Sequence, residues 1–336
     1  MTKAIYKIFF AAVVAFAAVT AQCFAQDDVM RSQADEFLRN MPAGLQRSQA
    51  SAIMSAIGGD NTALEAVRRS RNAAPEISSN VAVRSISPTL RLYEPVMLPE
   101  DGGKLPLLIY FHGGGWTFGS LNSCARFCDA MAATGKMKVL AVDYRLAPEH
   151  PFPCGLDDCK DAIKYACSNA DTLNIDVASI TVGGDSSGGN LAIASALSNE
   201  CLGLVKSLVV FYPVTKAFAD GSASWEKYGN GYALDAELMN LFNRAYIGNS
   251  SAGNPLVDVG LNSADVLKIN LPPTLLIAAG RDILCDQGAE FAQKAGGNVV
   301  TRIEFPSAVH LFITVPGQDE AFHRAVALAT NFITKK

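Results

Sequence analysis

The sequence predicts an α/β fold, a mostly parallel sheet covered by helices on both faces, and three observations carry that expectation. First, the runs Leu105–Phe111, Lys138–Asp143, Ser179–Gly183, Lys206–Phe211, Thr274–Ala279 and Val299–Phe305 are rich in apolar, often β-branched residues. Strands buried on both faces read as near-continuous apolar runs, whereas a strand with one wet face alternates. Second, amphipathic helical segments separate these runs, as crossovers between parallel neighbours require. Third, a β-branched stretch leads into a helical one through Val182-Gly183-Gly184-Asp185-Ser186-Ser187-Gly188-Gly189, a sharp turn centred on a serine.

Composition narrows the class further. Hydrophobic residues make up 49% and charged residues 18% of the 336, enough for a large core and unlike a disordered chain. The formal net charge is −4 with basic residues scattered, so no electrostatic footprint for nucleic acid exists. At the N-terminus Lys3 and Lys7 precede the apolar run Ile8–Val19 and the small-x-small pattern Cys23-Phe24-Ala25. That pattern predicts a signal peptide over residues 1–25, cleaved after Ala25, and an exported protein, periplasmic or secreted. The apolar run is too short to span a bilayer, which takes about 20 residues, so the mature chain is expected to hold no stable membrane span. Cleavage would remove Cys23 from the eight cysteines and leave an odd number. Cys124, Cys128, Cys154, Cys159 and Cys167 lie close in sequence, which permits one or two disulfides in an oxidising compartment. Their spacing, with no suitably placed histidine, does not suit zinc, and no metal is expected.

After the signal, Asp27–Arg71 has helical periodicity interrupted by Pro42, Gly58 and Gly59, which predicts two or three helices in an N-terminal cap segment, residues 26–80. The sheet domain is expected over residues 81–336. Within it, the strand ending near Pro213 and the one starting near Pro273 are about 60 residues apart, more than a crossover needs. This stretch, about 214–270, reads as an insertion. Its aromatics, among them Trp225, Tyr228, Tyr232, Phe242 and Tyr246, suit a helical cap over an apolar pocket or simple packing on the sheet.

The turn at Ser186 suits a nucleophile, because Gly184 and Gly188 allow a backbone sharp enough to lift the side chain clear of the sheet. Alone, Gly-x-Ser-x-Gly is a weak signal that a plain glycine-rich turn also produces. Three further segments strengthen it. His112-Gly113-Gly114-Gly115-Trp116 follows the run Leu105–Phe111, and its glycines leave backbone amides free to face a developing oxyanion. The amide of Ser187, after the nucleophile, would complete that set. Asp282 ends a predicted strand, where open α/β sheets place functional groups. It is preferred over Asp286, which falls in the first turn of the next helix and has an adequate structural role there. His310 follows the last predicted strand. Of the four histidines, His112 belongs to the glycine loop, His150 to a proline-rich loop and His323 to the terminal helix. His310 thus completes the chain order Ser, Asp, His.

From Val81 to Lys336 the sequence resembles the hormone-sensitive lipase-like branch of the α/β-hydrolase carboxylesterases. The resemblance rests on His112-Gly113-Gly114-Gly115, on Asp143-Tyr144-Arg145-Leu146-Ala147-Pro148-Glu149-His150, on Gly184-Asp185-Ser186-Ser187-Gly188-Gly189, on Asp282-Ile283-Leu284-Cys285-Asp286 and on His310. It implies an α/β-hydrolase fold with a helical cap and a serine esterase. The implied triad is Ser186, Asp282 and His310, with Gly114, Gly115 and Ser187 amides as oxyanion donors, no cofactor, and a small-molecule ester as substrate. Ser187, Ile283, Cys285 and Leu311 depart from residues common in the family, where alanine, proline, arginine and glycine are usual. The expected reaction is hydrolysis of short-chain, acetyl-type esters through an acyl-enzyme on Ser186. Amide or thioester hydrolysis on the same scaffold is the alternative, and so is a binding protein without catalysis. Receptors of this fold lack the histidine, which this chain has.

Overall fold

The computed structural model describes residues 26–97, 103–218, 221–248 and 253–335, so the expected signal segment lies outside the described residues. The strands are β1 (Val81–Ser87), β2 (Leu90–Pro95), β3 (Leu105–Phe111), β4 (Lys138–Val142), β5 (Ile175–Asp185), β6 (Ser207–Phe211), β7 (Thr274–Arg281) and β8 (Val300–Val309). They form one sheet in the order β1-β2-β4-β3-β5-β6-β7-β8. β2 runs antiparallel to both its neighbours, and every other pairing is parallel.

The six apolar runs read from the sequence are β3 to β8. β5 starts earlier than its apolar run because Val177 and its neighbours lie at the open end of the sheet, where Val177 is half exposed. The β1–β2 hairpin escaped as separate strands because β1 is an edge strand with mostly exposed side chains. Charged and polar side chains on an edge hide it from a search for apolar runs and also discourage pairing with other chains.

The helices are α1 (residues 26–40), α2 (Leu45–Ile57), α3 (Thr62–Ser70), α4 (Ala125–Ala133), α5 (Cys154–Ser168), α6 (Ala170–Leu173), α7 (Ser187–Leu197), α8 (Ala223–Tyr228), α9 (Ala236–Ile247), α10 (Ala264–Asn270), α11 (Cys285–Ala295) and α12 (Asp319–Ile333). Alternation along β3 divides the core: Leu107, Ile109 and Phe111 pack with residues of α5 and α7, while Leu108 and Tyr110 pack with residues of α4 and α12. α7 is buried over its whole length. Only a helix of small residues approaches a sheet so closely, and Gly189 shows why: a Cβ there would lie 2.8 Å from the Cβ of Pro213.

The chain lays β4 on one side of β3 and β5 on the other, so the direction of winding reverses at the β3/β5 boundary. Loops leaving adjacent parallel strands in opposite directions open a crevice at their carboxyl ends. The loop after β3 starts at His112, and the turn after β5 is Ser186. Between β6 and β7 the chain forms α8, α9, a 3₁₀ turn at Val259–Leu261 and α10. α9 packs against α2 of the N-terminal segment. Cys124, Cys128, Cys154, Cys159, Cys167, Cys201 and Cys285 are all free thiols, so none of the sequence-permitted disulfides is formed among them. Among the described residues no helix is long and apolar enough to cross a membrane.

Candidate active site

Ser186 stands between β5 and α7 with φ 54° and ψ −118°, a region non-glycine residues rarely enter. Such a conformation costs about 1–3 kcal/mol and persists only where its surroundings impose it. Here the Ser186 amide donates to the Phe211 carbonyl of β6 at 2.9 Å, and the Ser186 carbonyl accepts from Asn190 and Val214, each at 3.1 Å. The flanking glycines are a steric necessity. A Cβ on Gly188 would sit 2.0 Å from the Phe111 carbonyl oxygen, and one on Gly184 would sit 2.4 Å from the Gly188 backbone.

His310 follows β8 and is 2% exposed. Its Nε2 lies 3.1 Å from Oγ of Ser186 and its Nδ1 lies 2.6 Å from Oδ2 of Asp282. The other carboxylate oxygen of Asp282 accepts the Leu284 amide at 3.1 Å, which fixes the side chain at the end of β7. The three residues predicted from sequence thus form one hydrogen-bonded line. Asp286, the competing carboxylate, sits in the first turn of α11 and accepts the Ser224 amide at 2.8 Å, anchoring α8 of the insertion instead.

Gln318 holds the histidine loop: its Oε1 accepts the Val309 amide at 3.0 Å and its Nε2 donates to the His310 carbonyl at 3.1 Å. The Tyr212 ring lies 4.4 Å from the imidazole, and its hydroxyl accepts the Ile313 amide at 3.2 Å. Leu311 adopts φ 72°, the left-handed region that favours glycine. The glycine common in the family after this histidine therefore has a backbone reason, and leucine meets it here at a cost of about 1–2 kcal/mol.

The glycine loop is tied to Asp185, the residue before the serine. Gly113 donates its amide to Oδ1 of Asp185 at 3.0 Å, and the same oxygen accepts the Tyr110 hydroxyl at 2.9 Å. Burial pushes the Asp185 carboxyl above the ordinary range although that hydroxyl and amide favour its charged form. Among the described residues the amides of Gly114, Gly115 and Ser187 donate to no protein acceptor. Gly114 and Gly115 have φ 117° and 62°. A Cβ on Gly115 would fall 2.1 Å from the ring of Phe242, so α9 lies directly over the loop. Trp116 stacks on Tyr246 of the same helix with ring centroids 4.4 Å apart. From α3, Arg68 donates to the Thr117 carbonyl at 2.8 Å and the Ala147 carbonyl at 2.9 Å while its fork grips Glu149.

Asp185, Gln318, Tyr212 and Arg68 are supports that sequence reasoning missed, whereas Phe242 was among the insertion aromatics read from the sequence. Asp185 had a local signal, since it adjoins the nucleophile. The others reach the site from distant segments, and nothing in their own neighbourhoods marks them. Among the described residues, no group of three or more His, Cys, Asp or Glu side chains could hold a metal ion.

A strained serine heading a strand-turn-helix unit, in reach of an acid-supported imidazole on a sheet of this order, defines the α/β-hydrolase class. Comparison with known proteins agrees: residues 108–314 match the α/β hydrolase fold family. The chain belongs to that family, in the branch of hormone-sensitive lipase-like esterases its motifs resemble. It is 36% identical over 211 residues to an AB hydrolase superfamily protein of Schizosaccharomyces pombe, a match spanning 61% of either chain and so less than two thirds of that relative. It is 35% identical over 232 residues to an ethyl acetate hydrolase of Pseudomonas putida, covering 67% of this chain and 71% of the relative. Among solved structures, the hyperthermophilic esterase of the archaeon Pyrobaculum calidifontis aligns with a TM-score of 0.71 at 30% identity, covering 83% of this chain and 95% of the other.

Proposed function

We propose that the protein is a serine carboxylesterase that hydrolyses short-chain, acetyl-type esters through an acyl-enzyme on Ser186. The observation that carries this reading is the line from Oγ of Ser186 through the His310 imidazole to Asp282. In the proposed reaction Nε2 of His310 takes the serine proton as Oγ attacks the ester carbonyl, and Asp282 stabilises the imidazolium. The amides of Gly114, Gly115 and Ser187 receive the oxyanion, each such donor being worth about 10²- to 10³-fold in turnover. The imidazolium then protonates the leaving alcohol. Water, deprotonated by the same imidazole, attacks the acyl-enzyme, and the imidazolium returns that proton to Oγ of Ser186 as the C–Oγ bond breaks and the acid leaves.

Membership of an esterase branch supports ester rather than amide or thioester chemistry, and the Pseudomonas putida relative supports a small acyl group. Residues 26–80 and about 214–270 act in this reading as a cap over the crevice, and residues 1–25 as an export signal. Ser186→Ala is expected to abolish p-nitrophenyl acetate hydrolysis while leaving the circular dichroism spectrum intact, and wild-type turnover in that variant would refute the assignment. A series of p-nitrophenyl esters of rising chain length tests the acyl preference. N-terminal sequencing of protein recovered outside the cytoplasm tests cleavage after Ala25.

A further inference from the structure

A cavity of about 450 Å³ opens beside the glycine loop. Gly113, Gly114 and Leu311 form one wall, and Phe37, Met41 and Leu45 from the N-terminal helices and their connection form another. Two charged residues line this apolar space, Asp185 and Arg71. Asp185 has its own partners in Tyr110 and Gly113. Arg71 does not: among the described residues its guanidinium donates to no acceptor and enters no ion pair, and its described contact is the face of Phe118, 5.4 Å from the ring centroid. Burial lowers its pKa from the usual arginine value, and the charge of Asp185 opposes that fall. An arginine nonetheless stays charged in proteins.

Five N–H donors in a partly desolvated place, hydrogen-bonded to no carboxylate or carbonyl among the described residues, favour an anion that reaches them. Space for such a group exists. A second cavity of about 680 Å³ shares Arg71, Ser123, Thr314 and Pro316 with the first, so Arg71 stands where the two cavities adjoin.

We infer that Arg71 binds a carboxylate carried by the substrate, so that esters bearing one free carboxylate, on the acyl or the alcohol side, are preferred over neutral esters of the same shape. The inference rests on the esterase reading above. The competing role is structural: Arg71 as the counter-charge of Asp185, holding the glycine loop for every substrate alike.

Matched pairs of esters separate the two roles and the two sides. On the acyl side, p-nitrophenyl hemiglutarate is compared with p-nitrophenyl valerate; on the alcohol side, 4-acetoxybenzoate is compared with phenyl acetate. The full chain and its Arg71→Met and Arg71→Lys variants are assayed, with thermal melts to establish folding. A hydrogen-bonded charge pair in such a place is worth roughly 10- to 100-fold. In at least one pair the kcat/KM ratio of anionic to neutral ester should fall by about that factor in Arg71→Met, mainly through KM, and return in part in Arg71→Lys. The responding pair identifies the side that carries the carboxylate. An unchanged ratio in both pairs overturns the inference, and so does an equal loss on all four esters, which assigns Arg71 to the support of Asp185. A wild-type chain inert toward all four esters overturns the esterase reading itself and the inference with it.

Discussion

Asp282→Asn inverts the imidazole while changing almost nothing else, and its consequence can be worked out bond by bond. Oδ1 of Asp282 accepts the Leu284 amide at 3.1 Å, while Oδ2 meets Nδ1 of His310 at 2.6 Å. An amide N–H only donates, so an asparagine keeps its carbonyl oxygen toward Leu284 and turns its NH₂ toward the histidine. That NH₂ also only donates, which forces Nδ1 to accept and moves the ring proton to Nε2. Nε2, 3.1 Å from Oγ of Ser186, then has no lone pair for the serine proton. Asp282 is 1% exposed, so the carboxamide has no solvent to turn into. The same inversion in a protease triad lowers turnover about 10⁴-fold, which is about 5.4 kcal/mol of transition-state stabilisation. The assay is kcat for p-nitrophenyl acetate with circular dichroism and a thermal melt, and Asp286→Asn serves as the control because its carboxylate serves Ser224. A folded Asp282→Asn variant that loses less than about tenfold refutes the reasoning, and a 10⁴-fold loss in Asp286→Asn instead reassigns the acid.

Two further outcomes are expected. Gln318→Ala strands the buried Val309 amide, which should destabilise the fold by about 1–3 kcal/mol in urea titration and lower kcat more than KM, because the His310 loop loses its clamp; equal stability and kcat would remove Gln318 from that role. Glu149 gives the acid dependence: burial pushes its pKa up, but the Arg68 fork and a backbone amide, together with neighbouring positive charge, hold it below the ordinary value. A depressed carboxylate pKa contributes stability that is complete above the unfolded value of about 4.3 and is lost as pH falls through the lower folded value. Because the pair is partly exposed, the contribution should stay near or below about 1 kcal/mol. The stability difference between wild type and Glu149→Gln should be constant above about pH 5 and shrink below about pH 4, and a difference that grows on acidification contradicts the assignment.

How much was legible before the structure differs by element. Strands β3 to β7 were readable because burial inside the sheet leaves little freedom in residue type, and β8, the other edge, was readable through its apolar Val300, Ile303 and Phe305. The β1–β2 hairpin was not, since β1 is an edge strand with mostly exposed side chains and β2 mixes Arg91 and Glu94 among its apolar residues. Ser186, the glycine loop, Asp282 and His310 announced themselves because glycines, or a loop position just past a strand, mark each of them locally. Leu311 shows the limit of such signals: the backbone there demands a left-handed turn, yet its residue type says otherwise.

From the residues alone came the α/β class, the chain order of Ser186, Asp282 and His310, and the amides proposed as oxyanion donors. These are properties of short segments, each constrained by its own backbone. Only the tertiary structure could decide that Gly113 spends its amide on Asp185, that Gln318 and Tyr212 set the histidine loop, and that Arg71, unpaired among the described residues, stands beside the glycines. These partners are far apart along the chain, and hydrogen bonding and burial depend on three-dimensional neighbours that the folding of the sheet brings together.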